Sequence, residues 1–558
     1  MSAPAFTVLQ TKPVPRGTDE FEVKRAAILK EFADKVPTEY YIPKSILDSV
    51  ELDVSGIPAK CSILSPEELR ITEDYDASGL AEAIASRELT AVAVAKAFCK
   101  RAIIAHQLTC CLTQWFMDEA IQQAQKLDEY LATHGKTVGP LHGVPISIKD
   151  HMGISGTYTS GASLYSIVKA TEDVHFIRVL REAGAVFYCK TNQPQSLMHL
   201  ESDSLWGRVL NPYNINLSAG GSTGGEAALI AMKGSVLGIG SDIGGSIRGP
   251  SAFCGIYGFK PTSYVLPFDG MLLEPFPGEL NILCAPGPMG RSVRDLNLVT
   301  KTVLATQPHL IDPRLIPIPW TGTETPIKGP LRIGLIEHDG FVDPQPPVKR
   351  AIAWAREVLS DPKYAGLVEV KDFKVYGAAE AMHKIRKMYF PDGGASTRDA
   401  ITSTGEPIHH LTTDILKDAA EDGMCTAVDL GNMRADRDDF RMKFLRSWQD
   451  QEVDVVLGPA FVGPASAHDT AYTWTYTSLY NFVDYPGVVI PTPVVAKAGE
   501  KYDASYKPLS PECERVNKLW GETNFEGAPI NLQLVARKYH DNQLFGALEV
   551  LKDIFQLS

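Results

Sequence analysis

Residues 218–262 read SAGGSTGGEAALIAMKGSVLGIGSDIGGSIRGPSAFCGIYGFKPT. This stretch holds more Gly and Ser than a regular helix or strand tolerates, because Gly destabilises both. Such density is typical either of plain turns or of a backbone that closely approaches a ligand. The same stretch contains a helical run at 226–232 and an apolar strand at 236–239. It therefore combines regular elements with two glycine-rich loops.

The residues before this stretch show the same alternation of strand and helix. A short apolar strand at 146–148 ends at Lys149, a helix is predicted over 174–183, and a buried strand over 185–189. Strands that alternate with helices indicate an α/β protein whose largely parallel sheet is covered by helices on both faces.

The outer parts of the chain suggest how it is organised. A length of 558 residues by itself favours two or more domains. Residues 1–65 are predicted to form an N-terminal arm with one amphipathic helix over 21–36. Ser65-Pro66-Glu67-Glu68 is typical of a helix start, so the compact part is expected at 66–558. Residues 340–450 are polar and helical and are expected to form a cap or an insertion.

Composition limits the classes of partner. Lys and Arg total 54 against 67 Asp and Glu, a net charge of −13, which repels nucleic acid and anionic membrane surfaces. We therefore expect no nucleic-acid partner. No apolar run approaches the roughly 18 residues of a membrane helix, so no membrane span is expected.

Cysteine usage and the first residues indicate the compartment. The nine Cys are an odd number without a CxxC pair, which favours reduced thiols, and the start of the chain lacks the apolar stretch of a secretory signal. A cytoplasmic location is expected. Because no His, Cys and Asp cluster has the spacing of metal ligands, no metal and no organic cofactor are expected.

Three places in the sequence carry candidate chemistry. The small residues before Ser246 can direct several backbone N–H groups into one concavity, as an oxyanion requires. Ser222 lies at a predicted helix N-terminus, where free N–H groups collect. Lys149 ends a strand between apolar residues. The alternatives are plain turns for the glycine-rich loops and a salt bridge to Asp150 for Lys149.

These places resemble the amidase signature family. The matching segments are KDHMGISGTYTSG from Lys149, GGSTGGEAALIA from Gly220 and GSDIGGSIRGPSAFCGIYGFKPT from Gly240, in the family's order. Further stretches are similar to the fungal acetamidase branch, and fatty-acid amide hydrolase resembles the same core. The resemblance covers most of residues 65–550 and implies one α/β unit around a large, mixed, mostly parallel sheet.

The resemblance also assigns roles to single residues. It implies Ser246 as nucleophile, Ser222 as a serine that follows a cis peptide bond, and Lys149 as base. It further implies that the oxyanion is bound by the backbone amides of Ile243, Gly244, Gly245 and Ser246. The backbone carbonyl of Leu197 would face the substrate, and the charges of Asp242 and Arg248 would support the site. Two departures from the family pattern are Thr223, in place of a second serine, and His151, which we connect with substrate selection.

The implied reaction is hydrolysis of an amide without a cofactor. Only about one free lysine in 2,500 is neutral at pH 7, but burial lowers the pKa of the amine, so that Lys149 becomes a usable base. Ser222 would relay the proton from Ser246 to Lys149 and later to the departing amine. The resemblance favours small aliphatic amides such as acetamide as substrates. Carbamates, aryl amides, esters and fatty-acid amides stay open as substrates, and a homodimer stays open as the assembly.

Other functions fit the sequence less well. Residues 220–224 match the GxSxG pattern of α/β-hydrolases, but the residues before them, 211–218, are expected to be a polar loop rather than the strand such an elbow needs. No GKS or GKT follows either glycine cluster, which excludes a P-loop. An inactive binding module would be expected to lack at least one of Lys149, Ser222 and Ser246. A membrane-attached lipid amidase remains an alternative, and the loops near 271–288 are expected to shape the pocket.

Overall fold

The structure is a computed structural model, and it describes residues 6–271 and 281–558. Its strands are β1 Leu112–Trp115, β2 Pro145–Lys149, β3 Tyr158–Thr159, β4 Val168–Lys169, β5 Val186–Thr191, β6 Asp203–Ser204, β7 Gly207–Arg208, β8 Leu210–Asn211, β9 Asn214–Ser218, β10 Leu237–Asp242, β11 Tyr257–Lys260, β12 Ala285–Gly290, β13 Leu331–Leu335, β14 Val368–Asp372, β15 Val455–Pro459, β16 Gly487–Val495 and β17 Pro529–Ala536.

The α-helices of the described residues are α1 Asp19–Asp34, α2 Lys44–Leu47, α3 Ile57–Lys60, α4 Pro66–Glu73, α5 Ala77–Ala85, α6 Ala91–Thr109, α7 Met117–His134, α8 His175–Glu182, α9 Gly224–Ala231, α10 Arg248–Phe253, α11 Val293–Ala305, α12 Pro346–Leu359, α13 Ala378–Tyr389, α14 Ala395–Thr402, α15 His410–Asp422, α16 Ala427–Asp450, α17 Thr475–Phe482, α18 Pro511–Glu522 and α19 Asp541–Phe555. In α4 the Ser65 hydroxyl accepts from the N–H of Glu68, whose carboxylate accepts from the N–H of Ser65. This capping box confirms the predicted helix start.

Eleven strands form one sheet in the order β1-β5-β2-β10-β12-β11-β16-β17-β15-β13-β14. The neighbours β5, β2 and β10 run parallel, and so do β15, β13 and β14. The remaining neighbours are antiparallel. The predicted large mixed sheet is confirmed, with its parallel pairing in two blocks of three strands.

Both faces of the sheet are buried. In β16, Val488 and Ile490 pack into one apolar cluster and Val489 packs into the other, because successive side chains of a strand point to opposite faces. Helices α11, α12 and α19 supply the first cluster, while α6 and α9 contribute to the second. The expected covering of both faces by helices is therefore confirmed.

Residues 211–218 differ from the expectation of a polar loop. They contain β8 and β9, which pair with each other and not with the central sheet. In β9 the buried Ile215 and Leu217 alternate with Asn214 and Asn216, and only Asn216 of this strand is exposed. The loop prediction was wrong because the three Asn of this stretch hid that alternation.

The terminal arm and the predicted cap both contact the rest of the molecule. Lys12 of the arm forms an ion pair with Asp469, at 3.1 Å between Nζ and Oδ2. The region from 346 to 450 holds α12 to α16 and also β14, which lies at one edge of the central sheet. The division of the chain into an arm, one domain and a cap stays a prediction.

Two further observations concern the chain as described. None of its helices is long and apolar enough to cross a membrane. No disulfide joins any two of the nine cysteines, all of which lie in the described ranges.

Candidate active site

The candidate site lies where two parallel neighbouring strands end. Lys149 is the last residue of β2, and Ser241 and Asp242 are the last residues of β10. The carboxyl ends of parallel strands meet at one edge of the sheet, which is where open α/β sheets bind ligands. The loop before α9 reaches the same edge, because the N–H of Thr223 donates to the carbonyl of Ser246 at 3.2 Å.

Lys149 contacts Ser222 directly. Its Nζ donates to Ser222 Oγ at 2.6 Å and to Ser241 Oγ at 3.1 Å, and its side chain is fully buried. Burial lowers the pKa of Lys149 to about 7, because the charged ammonium loses its hydration. Near neutral pH a large fraction of the Lys149 amine is therefore neutral beside Ser222. The peptide bond between Gly221 and Ser222 is cis.

The salt-bridge alternative for Lys149 has no support in the structure. The Asp150 carboxylate accepts from Thr113 Oγ1 at 2.6 Å and from Ser160 Oγ at 2.5 Å, and it lies 3.8 Å from Lys190 Nζ. In the part of the chain that is described, no ion pair joins Lys149 to an acid. Asp150 is instead the partner of the lysine on the next strand.

Ser246 ends the second glycine-rich loop and is half-buried. Its side chain lines a cleft together with Ser222. Within the described ranges no hydrogen bond joins the two serine hydroxyls. The structure therefore brings Lys149 and Ser222 into contact and places Ser246 beside them on the same surface.

Two distant side chains orient the backbone before Ser246. Tyr389 Oη donates to the carbonyl of Ile243 at 2.9 Å, and Thr477 Oγ1 donates to the carbonyl of Gly244 at 2.9 Å. Because C=O and N–H point in opposite directions across a trans peptide, each hydrogen bond also fixes the direction of the next N–H group.

Gly245 differs from the other expected oxyanion donors. Its N–H donates to Asp242 Oδ1 at 2.8 Å, and its φ of +132° is one that residues with a side chain rarely adopt. The N–H groups of Ile243, Gly244 and Ser246 have no acceptor among the described residues. Three of the four expected amides are thus open to a ligand, and the fourth is already used.

Asp242 and Arg248 form a buried ion pair behind this backbone. Arg248 Nε donates to Asp242 Oδ2 at 3.1 Å, and Asn481 Nδ2 donates to Oδ1 at 2.8 Å. Burial alone would raise the pKa of Asp242, but the Arg248 guanidinium and the hydrogen bond from Asn481 hold it at about 2. The charged carboxylate also accepts the N–H of Ile247 at 3.1 Å. It therefore organises the turn that carries Ser246.

The start of α9 does not offer the free N–H groups that were expected beside Ser222. The N–H of Gly224 donates to Ser202 Oγ at 3.1 Å, and that of Gly225 donates to the carbonyl of Asn192 at 3.0 Å. Thr223 Oγ1 donates to the carbonyl of Ser241 at 3.4 Å. These groups fix the loop, and the first two N–H groups of the helix are not available to a ligand.

A cleft of about 980 Å³, counted to its open mouth, leads to the two serines. A second cavity of about 270 Å³ also reaches Ser246, and Leu197 lines both at a φ of +62°. The walls of the larger cleft are mostly apolar and include Leu197, Met198, Ile243, Phe268, Ile282, Leu283, Leu315, Tyr389 and Phe390. The loop at 271–288 was expected to shape the pocket, but its residues 272–280 lie outside the described residues.

Comparisons with known proteins agree with this geometry. The family model described as Amidase matches residues 93–545, which is most of the chain. The chain belongs to the amidase signature family. A relative from Schizosaccharomyces pombe is 41% identical over 519 residues, which cover 92% of this chain and 95% of that protein. An acetamidase of Emericella nidulans is 34% identical over 550 residues, with 96% and 98% covered.

A solved structure extends the likeness to three dimensions. The amidase superposes on a structure described as fatty acid amide hydrolase with a TM-score of 0.90, at 33% identity, with 97% of this chain and 96% of the other covered. The chain is therefore an amide hydrolase with the amidase signature fold. The predicted family, fold and enzyme class are confirmed.

Sequence reasoning missed several residues of the amidase site. Tyr389 and Thr477 lie 146 and 233 residues from the backbone that they orient. Neither belongs to a motif, so no local pattern could identify them. Ser241 stands inside the motif that carries Asp242, but only the structure shows that it contacts Lys149.

The structure also gathers one group of possible metal ligands that the sequence separates. His409, His410 and Asp469 have ligand atoms within 4.8 Å of one another. Asp469 Oδ1 already accepts from Arg208 at 2.7 Å, and its Oδ2 lies 3.1 Å from Lys12. Because two cationic side chains already contact the Asp469 carboxylate, binding of a metal ion there is disfavoured. That the enzyme needs no metal and no cofactor stays a prediction.

Proposed function

We propose that this amidase hydrolyses carboxylic amides through a covalent acyl-enzyme, with Ser246 as nucleophile and Lys149 as base through Ser222. The observation that carries the proposal is the 2.6 Å hydrogen bond between Lys149 Nζ and Ser222 Oγ at a fully buried amine. A neutral amine next to a hydroxyl is able to accept a proton, and the lowered pKa of Lys149 supplies that neutral form.

In the first half of the reaction, Ser246 Oγ bonds to the carbonyl carbon. The Ser246 proton passes to Ser222, and the Ser222 proton passes to Lys149 Nζ. The carbonyl oxygen becomes an oxyanion, which the open N–H groups of Ile243, Gly244 and Ser246 stabilise. The proton then returns from Lys149 through Ser222 to the nitrogen of the leaving amine. The C–N bond breaks, and the amine or ammonia leaves.

In the second half, water attacks the ester that joins Ser246 to the acyl group. The same two groups take a proton from that water and return it to Ser246 Oγ. For both halves the Ser246 hydroxyl must reach Ser222, which lines the same cleft.

The cleft supports an amide substrate with a bulky apolar group. The walls around the two serines are mostly apolar, as in sites that hold apolar ligands. A molecule as small as acetamide leaves most of this wall in contact with water. We therefore propose aryl or longer alkyl amides over the small aliphatic amides that the family likeness favours. The names of the acetamidase and fatty acid amide hydrolase relatives are compatible with either size.

Labelling tests the nucleophile. A fluorophosphonate should modify one residue, and peptide mapping should locate the adduct on Ser246. Ser246→Ala should abolish labelling, whereas Ser251→Ala, a change of another buried serine nearby, should not. An adduct on Ser222 would overturn the assignment and make Ser222 the nucleophile.

Turnover of a graded panel tests the substrate class. Ammonia release would be measured for acetamide, hexanamide, decanamide and benzamide. We expect kcat/KM to rise with the apolar area of the acyl group. A maximum at acetamide would refute the bulky substrate and leave the mechanism intact. Faster cleavage of matched carbamates would point to a urethane hydrolase.

The cytoplasmic location and the homodimer remain predictions. Fractionation of cells tests the location, and sedimentation of the purified chain tests the assembly.

A further inference from the structure

His151 is joined to the proposed base by a single hydroxyl. Its side chain is 2% exposed and lines the cleft. His151 Nε2 lies 3.0 Å from Ser241 Oγ, and Ser241 Oγ accepts from Lys149 Nζ at 3.1 Å. His151, Ser241, Lys149 and Ser222 therefore form one continuous hydrogen-bonded chain.

The number of available protons restricts which group donates and which group accepts in each of these hydrogen bonds. A neutral lysine has two N–H groups and one lone pair, and the proposed reaction requires that lone pair to face the Ser222 hydroxyl. Ser241 is a second hydroxyl next to the same nitrogen. If Ser241 donated its proton to Lys149, it would occupy the lone pair and block the base.

A second acceptor for the Ser241 proton, other than Lys149, prevents that arrangement. A serine hydroxyl has one proton and two acceptor lone pairs. When its proton goes to His151 Nε2, Ser241 is left to accept an N–H from Lys149. The lone pair of Lys149 then points away from Ser241 and toward Ser222. This direction requires the proton of the neutral imidazole to be on Nδ1.

We propose that His151 is a positioning residue that accepts the Ser241 proton and thereby keeps the lone pair of Lys149 directed at Ser222. The inference rests on the proposed function of Lys149. It assigns a role to the histidine by which this chain departs from the family pattern, and that role differs from the substrate selection that the sequence suggested.

The rate of Ser246 modification by a fluorophosphonate measures the role without a known substrate. His151→Leu removes the acceptor and keeps the volume, so the rate should fall about three- to tenfold, the weight of one hydrogen bond. His151→Gln presents an amide oxygen at a similar reach and should restore most of the rate. His175→Leu is the matched control, because neither ring nitrogen of that equally buried histidine has a partner among the described residues.

A double-mutant cycle separates positioning from packing. Once Ser241→Ala has removed the competing hydroxyl, adding His151→Leu should cause no further loss, so the two effects should be strongly non-additive. Purely additive effects, or labelling of His151→Leu at the wild-type rate, would overturn the inference. Failure of the proposed function looks different, because Lys149→Met would then label at the wild-type rate as well.

Discussion

Turnover should depend on pH through the ionisation of Lys149, and Lys149→Met should abolish that dependence. With a pKa of about 7, Lys149 is half neutral at pH 7, compared with about one molecule in 2,500 for a free lysine. We expect kcat/KM to fall about tenfold per pH unit below pH 7 and to level off above pH 8. Methionine keeps the length of the side chain but cannot accept a proton, so Lys149→Met should lower amide turnover about 10²- to 10⁴-fold.

The same lowered pKa predicts a change in stability with a definite sign. Between pH 7 and pH 10.5 the unfolded chain keeps the lysine proton that the folded chain has lost, so this group makes folding more favourable as pH rises. Below pH 7 both states are protonated, and the folded state bears the whole cost of burying the charge, which is on the order of 5 kcal/mol at most. Lys149→Met should therefore exceed the wild type in free energy of unfolding at pH 6, and the difference should shrink toward pH 10.

Ammonia release from hexanamide between pH 5 and pH 10, with urea unfolding at pH 6, 8 and 10, tests both parts. Lys190→Met is the matched control, because Lys190 is also fully buried, with a pKa lowered to about 8 by burial, but its Nζ donates to the carbonyl of Tyr158. This variant should keep the rising limb near pH 7. A folded Lys149→Met enzyme with near-normal turnover, or a limb that vanishes only when a histidine is replaced, would refute the assignment of the base.

Three other outcomes follow from the contacts of the site. Asp242→Asn leaves the Arg248 guanidinium buried without its counter-charge, so urea unfolding should show a loss of about 3–5 kcal/mol. Tyr389→Phe removes the hydrogen bond to the carbonyl of Ile243, and kcat should fall several-fold while the thermal midpoint changes little; an unchanged kcat would show that this contact does not organise the oxyanion site. Dialysis against a chelator should leave turnover intact, and a loss restored by zinc alone would contradict the metal-free reaction.

Much of the fold could be predicted because its signals are local. Apolar runs marked β2, β5 and β10, and the side chain of Ser65 caps the helix that it was expected to start. Two predictions failed. The alternation in 214–218 was hidden by asparagines. The N–H groups at the start of α9 donate to Ser202 and Asn192, and no sequence pattern near Ser222 indicates these contacts.

The residues of the candidate site also fall into two groups, those that a local motif identifies and those that only the folded structure brings together. Lys149, Ser222 and Ser246 lie in three contiguous motifs, so a resemblance found them together. The use of the Gly245 N–H by Asp242, and the contacts from Tyr389 and Thr477, depend on where chains far apart in sequence meet. A motif states which residue types are present. It does not state which of their hydrogen-bonding groups are still open to a substrate.

The placement of charges explains how a neutral lysine and the proposed oxyanion site can coexist at one sheet edge. The Asp242 carboxylate acts on Lys149 in the direction that raises the pKa of the amine, against the lowering by burial. Arg248 contacts both oxygens of that carboxylate, at 3.1 Å each, and compensates its charge. The carboxylate can then hold the turn before Ser246 through backbone N–H groups without keeping Lys149 protonated. Asp242 can be both buried and charged at this site because Arg248, six residues later at the start of α10, balances its charge.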